Sequence, residues 1–95
     1  MSPPTIPLFI DPGRVPLGLL LDAAAHALDE LGMRVTSRLV RDTVPGQYRA
    51  AALANARADL SLVRSVLDRA GATAWVVACD HLGVLLETAA GRSES

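Results

Sequence analysis

Three aspartates stand where carboxylates can act together. Asp11 closes the apolar run Phe9-Ile10-Asp11, Asp59 lies in Ala58-Asp59-Leu60, and Asp80 closes Val76-Val77-Ala78-Cys79-Asp80. Ligands of parallel sheets bind beyond the carboxyl ends of the strands. Asp11, Asp42 and Asp80 follow the three strands expected below, and converging carboxylates there can hold Mg²⁺ or Mn²⁺ for phosphodiester cleavage of the two-metal type. Aspartate is also ordinary at strand ends and helix caps, and this plainer reading is preferred.

Other chemistry is thinner. Asp22, His26 and Glu30 share one helix face at i−4, i and i+4, a row that can hold a metal or favour protonated His26 but that more simply forms a solvated face. Cys79 and His81 would share a strand face as a thiol and base, against the simpler reading of a core cysteine and a turn histidine. Arg14 precedes a helix start, where free N–H groups attract an anion such as phosphate. Neither a dinucleotide nor a phosphate-loop glycine pattern accompanies it.

The segments around Asp11, Asp59 and Asp80 resemble the acidic landmarks of NYN and PIN-type ribonuclease domains. The resemblance implies an α/β fold, a divalent metal such as Mg²⁺ on Asp11, Asp59 and Asp80 as catalytic residues, and RNA cleavage. The chain departs from that pattern at Pro12-Gly13-Arg14, Ser65 and Leu82, where the family carries polar or acidic residues, and it is shorter than such domains.

The elements that would position these residues follow from periodicity. Residues Thr5 to Ile10 alternate as a strand, with Pro7 favouring an edge. Asp11-Pro12-Gly13 is turn chemistry. From Pro16 to Leu31 a helical stripe of Leu17, Leu20, Leu21, Ala24, Leu28 and Leu31 ends at Gly32, placed as a left-handed cap. Met33 to Arg41 alternates as a strand with one wet face. Asp42-Thr43-Val44-Pro45-Gly46 is a break, after which Leu53, Ala56, Leu60, Val63, Leu67 and Ala70 mark a helix of about 24 residues capped by Gly71, with Asp59 able to cap a second piece. Thr73 to Cys79 reads as a buried strand. Residues 80–88 read as a hairpin with Gly83 in the bulge, or alternatively as a helix opened by Asp80 and ending at Gly91.

The order β-α-β-α-β(β) predicts an α/β two-layer sandwich, a mostly parallel sheet of three or four strands covered on one face by two helices. It resembles, in element order alone, the C-terminal domain of translation initiation factor three and Alba-type chromatin proteins. One domain is expected over residues 1–95, with residues 1–4 and 92–95 as tails.

Composition narrows the function. Hydrophobic residues make up 51% of the 95, so the chain can build a core, and with only Phe9, Tyr48 and Trp75 aromatic that core is aliphatic. The formal charge is −1 and all nine basic residues are arginine, which argues against a general electrostatic grip on nucleic acid or an anionic membrane. A single cysteine excludes an internal disulfide and suits a reducing compartment. No leader or membrane-spanning pattern is present, so a cytoplasmic location is expected.

The most informative feature is apolar surplus. Leu19, Ala23, Leu62 and Val66 fall outside the helix stripes that face the core, and the helices are rich in alanine, which permits close approach. This predicts an interface for a second copy or a protein partner, and a non-enzymatic interaction module as the function. No cofactor is expected outside the ribonuclease alternative. A further alternative is nucleic-acid binding through Arg34, Arg38 and Arg41, although on a strand Arg41 would face the other way.

Overall fold

The structure is a computed structural model, and it describes residues 11–42 and 47–93. Four helices follow one another: α1 (Leu17–Glu30), α2 (Arg34–Asp42), α3 (Gln47–Arg69) and α4 (Thr73–Ser93). No strand occurs among the described residues. The expected α/β sandwich is therefore corrected to a small all-α fold. The expected strand over 5–10, the tail over 1–4 and the break over 43–46 lie outside the described residues.

Both misread segments have a helical period that outweighs their strand features. In α2 the residues turned inward are Met33, Ser37 and Val40, spaced i, i+4, i+7, so the short alternation of Met33 to Arg41 was compatible with either period. In α4 the buried positions Ala78, Cys79, Leu82, Leu85, Leu86 and Ala89 recur at helical intervals straight across Asp80-His81-Leu82-Gly83. The expected hairpin turn is thus mid-helix. The Asp80-capped helix alternative is corrected too, because the helix begins seven residues earlier at Thr73. Asp59 caps nothing, since α3 is continuous.

The two glycine caps stand as expected. Gly32 and Gly71 have φ of +80° and +74°. After α1, Gly32 N–H donates to the Asp29 carbonyl at 3.0 Å and Met33 N–H to the Leu28 carbonyl at 2.9 Å. After α3, Gly71 N–H donates to Asp68 at 3.1 Å and Ala72 N–H to Leu67 at 3.0 Å. Both sets are the paired bonds of the Schellman cap. The next helix starts at once, with the carbonyls of Met33 and Ala72 accepting from Ser37 and Val76. Two helical hairpins, α1–α2 and α3–α4, result.

Glycines in and out of these caps should respond oppositely to alanine. Gly71→Ala forces a Cβ into the left-handed region and should cost about 1–2 kcal/mol. Gly83 lies inside α4 with open space where a Cβ would go, so Gly83→Ala should add about 0.5–1 kcal/mol. Chemical unfolding of both variants reads the signs, and a shift in the same direction would contradict the assignment.

The hairpins pack so that α1 touches α2 and α4, and α3 touches α2 and α4. The core is aliphatic as expected: Leu20 and Leu28 of α1, Val40 of α2, Leu53 and Leu60 of α3, and Leu82, Leu85 and Leu86 of α4. Ala24, Ala25 and Ala27 are fully buried on α1 and keep that helix close to its neighbours. The radius of gyration, 12.5 Å, equals the roughly 12 Å expected of a compact chain of this length. Among the described residues Ser37 is the buried polar side chain; its hydroxyl donates to the Ala25 carbonyl at 2.9 Å, fastening α2 to α1. The expected tail over 92–95 is corrected at its start, because Arg92 belongs to α4 and its Nη1 donates to the carbonyls of Pro12, at 3.1 Å, and Val15. Among the described residues no helix is long and apolar enough to cross a membrane.

Candidate functional site

The three aspartates of the ribonuclease reading are engaged separately. Asp11 sits in the turn before α1, its Oδ1 accepting from Gly13 N–H at 3.1 Å and its Oδ2 lying 3.3 Å from Arg14 Nε. Asp59, on α3, accepts from the Thr36 hydroxyl of α2 at 3.4 Å. Asp80, on α4, is held by Arg64 of α3, with Nε to Oδ1 at 2.6 Å and Nη2 to Oδ2 at 3.4 Å. Among the described residues no three His, Cys, Asp or Glu side chains are grouped to hold a metal. Arg14, the expected anion site, lies in the turn and turns its guanidinium to Asp11.

The α1 row is present on one outward face. His26 Nε2 lies 3.5 Å from Glu30, and Asp22 stands exposed a turn earlier. Cys79 and His81 part company: on a helix residues two apart diverge, and Cys79 is buried while His81 is exposed. Burial, and then the neighbouring Asp80 charge, push the Cys79 thiol above its ordinary range. Such a thiol is inert at neutral pH.

Two carboxyls titrate low. With the Ser37 hydroxyl close by but its proton given to the Ala25 carbonyl, it is the Arg41 guanidinium, whose Nη1 lies 2.9 Å away, that holds Asp29 below the usual carboxylate range. Hydrogen bonding from Arg64 does the same for Asp80. A carboxyl depressed in the folded state contributes stability above its unfolded pKa of about 3.9, and that contribution is lost as pH falls through the folded value. Stability should therefore decline on acidification below that unfolded value, and Asp80→Asn should make the decline shallower. Unfolding followed by circular dichroism between neutral and strongly acid pH checks this; identical profiles for the two chains would exclude a role for the pair.

The outward faces hold the expected interface residues and several that sequence reasoning missed. Leu19, Leu62 and Val66 are 60%, 70% and 64% exposed, while Ala23 is half-buried. Val35 and Leu39 of α2 are 76% and 57% exposed, and Tyr48, Val77 and Val84 are exposed as well. The strand readings had turned Val35, Leu39 and Val77 toward the core. Helical indexing would have found them, because Val35 and Leu39 each lie two residues, and so about 160°, from the buried Ser37 on a 100° wheel.

The same correction unites three arginines. On a strand Arg41 was separated from Arg34 and Arg38; on α2 the three fall at i, i+4 and i+7, along one outward stripe. With Val35, Leu39 and Asp29 they line an open depression of about 740 Å³. A second, shallower groove of about 500 Å³ runs between α3 and α4. Leu60 and Cys79 lie at its base, Ala54, Ala58 and Gly83 leave it open, and the pairs Arg57–Glu87 and Arg64–Asp80 line it.

Compared with known proteins, the chain matches no family model, no curated protein and no solved structure.

Proposed function

We propose that this chain is a non-enzymatic interaction module that assembles with a second copy or with a protein partner through its outward helix faces. The observation that supports this is the exposure of large apolar side chains on every helix: Leu19 on α1, Val35 and Leu39 on α2, Leu62 and Val66 on α3, and Val77 and Val84 on α4. Single exposed leucines are ordinary. Recurrence in stripes, Leu62 with Val66 and Val35 with Leu39 at i, i+4, marks surfaces that gain from being covered.

Analytical ultracentrifugation tests the reading. A dimer or larger assembly at tens of micromolar is expected, weakened by Leu62→Glu, Val66→Glu or the corresponding changes on α2. A monomer at that concentration that also binds no protein would end it.

A second reading, nucleic-acid binding, is favoured by the arginine stripe of α2, because guanidinium groups spaced along a helix suit a phosphate backbone. Retention on oligonucleotides that falls steeply with salt would support it. The ribonuclease reading has weaker geometric support, since Asp11, Asp59 and Asp80 each serve a different partner.

A further inference from the structure

Charge is handled differently by the two hairpins. In α3 and α4 opposite charges meet within the molecule, Arg64 on Asp80 and Arg57 on Glu87. In α1 and α2 some do not. Helix α1 carries Asp22, Asp29 and Glu30 and no arginine, whereas α2 carries Arg34, Arg38 and Arg41 against Asp42 alone. Arg41 reaches Asp29 at 2.9 Å. Asp22, Arg34 and Arg38 remain exposed, and among the described residues their side chains make no hydrogen bond or close ion pair, Arg34 acting on Asp29 only through space. Apolar groups accompany both sets: Leu19 and Ala23 lie on the side of α1 that carries Asp22, and Val35 and Leu39 adjoin the arginines on α2.

Resting on the interaction-module reading, we infer that the partner of this surface is a second copy of the chain, docked so that α1 of each copy lies against α2 of the other. The two helices are neighbours in the fold, so one twofold axis makes both contacts at once and closes the assembly. Each contact sets a carboxylate beside Leu19 against arginines beside Val35 and Leu39. Pairing α1 with α1 would instead oppose acids, and pairing α2 with α2 would oppose arginines. A nucleic-acid strand would satisfy the arginines but leave Val35 and Leu39 against a charged backbone.

The twofold arrangement makes an unusual demand on mixed variants. Asp22→Arg opposes arginine to arginine in its own dimer, and the double variant Arg34→Glu/Arg38→Glu opposes acid to acid. Each alone should raise the dimer dissociation constant at least about tenfold. Mixed in equal amounts, they form a heterodimer with one native contact and one reversed but complementary contact, and association should return to near the wild-type level. Sedimentation of each variant and of the mixture reads this, with far-ultraviolet circular dichroism confirming that the exposed changes leave the helices intact.

Failure of the mixture to associate, or dimers that survive both single reversals, overturns the inference. If Leu62→Glu/Val66→Glu dissociates the wild-type assembly while the charge variants do not, the interaction-module reading stands and this docking falls. A monomeric wild type that binds oligonucleotides, and loses them on Arg34→Glu/Arg38→Glu, overturns it in favour of the second reading.

Discussion

Leu82→Ala should lower the free energy of unfolding by about 3–4 kcal/mol, the largest effect expected of any single truncation in the chain. Leu82 is fully buried at the middle of α4, one turn from Ala78, Cys79, Leu85 and Leu86. The neighbours that would have to collapse into the space belong to helices tied by the tight turns at Gly32 and Gly71 and by Arg92, so the cavity closes poorly. A domain of this size has roughly 5–15 kcal/mol of stability in all. The loss corresponds to a fall in Tm of roughly 15 °C. Urea unfolding followed at 222 nm measures it. Leu62→Ala, on the outward face of α3, should change monomer stability by no more than about 0.5 kcal/mol. Comparable losses at the two positions would mean that α4 does not turn its Leu82 face inward.

Arg92→Ala should cost about 2 kcal/mol, because its guanidinium serves two backbone carbonyls and charge-assisted bonds of this kind contribute more than neutral ones. Its Nη1 donates to Pro12 and to Val15, from the far end of the chain. Both carbonyls lie in the turn that leads into α1, so the variant should also speed amide hydrogen exchange at Arg14 and Val15 while leaving the middle of α3 protected. Arg92→Lys should recover little, since the lysine nitrogen stands one bond shorter along its stem than the Nη1 that makes both bonds. Full recovery by lysine would assign the contact to charge alone.

Helix α1, the length of α3 and both glycine caps were legible in the sequence, because an apolar stripe ending at a glycine leaves few alternatives over 14 or 23 residues. The sheet was not there to be read. Val35, Thr36, Val76 and Val77 are β-branched and suggested strands, yet β propensity describes fit to a pleated, half-buried surface and yields to helix packing. The decisive signal was the spacing that continued past Asp80 to Leu82, Leu85, Leu86 and Ala89, which a short-window reading cut in two. That error passed into the site. Assigning α2 to a strand hid Val35 and Leu39 inside and split Arg41 from Arg34 and Arg38. Leu19, Leu62 and Val66 were legible because they sit on helices that were indexed correctly. The pairings Arg64–Asp80 and Arg41–Asp29 were not, because partners 16 and 12 residues apart depend on how helices turn back on one another.

Met33 and Ala72 each close one helix cap and open the next helix, so neither hairpin has a spare residue between its arms. During synthesis such a unit needs nothing downstream. Once the ribosome has released residue 42, α1 and α2 can find their mutual register through contacts such as Ser37 with Ala25, 12 residues apart in sequence, and short separations of this kind form fastest. The α3–α4 hairpin can then form by the same local route. Docking the two together is the slower event, and the seal between Arg92 and the turn before α1 forms only once the last turn of α4 has emerged.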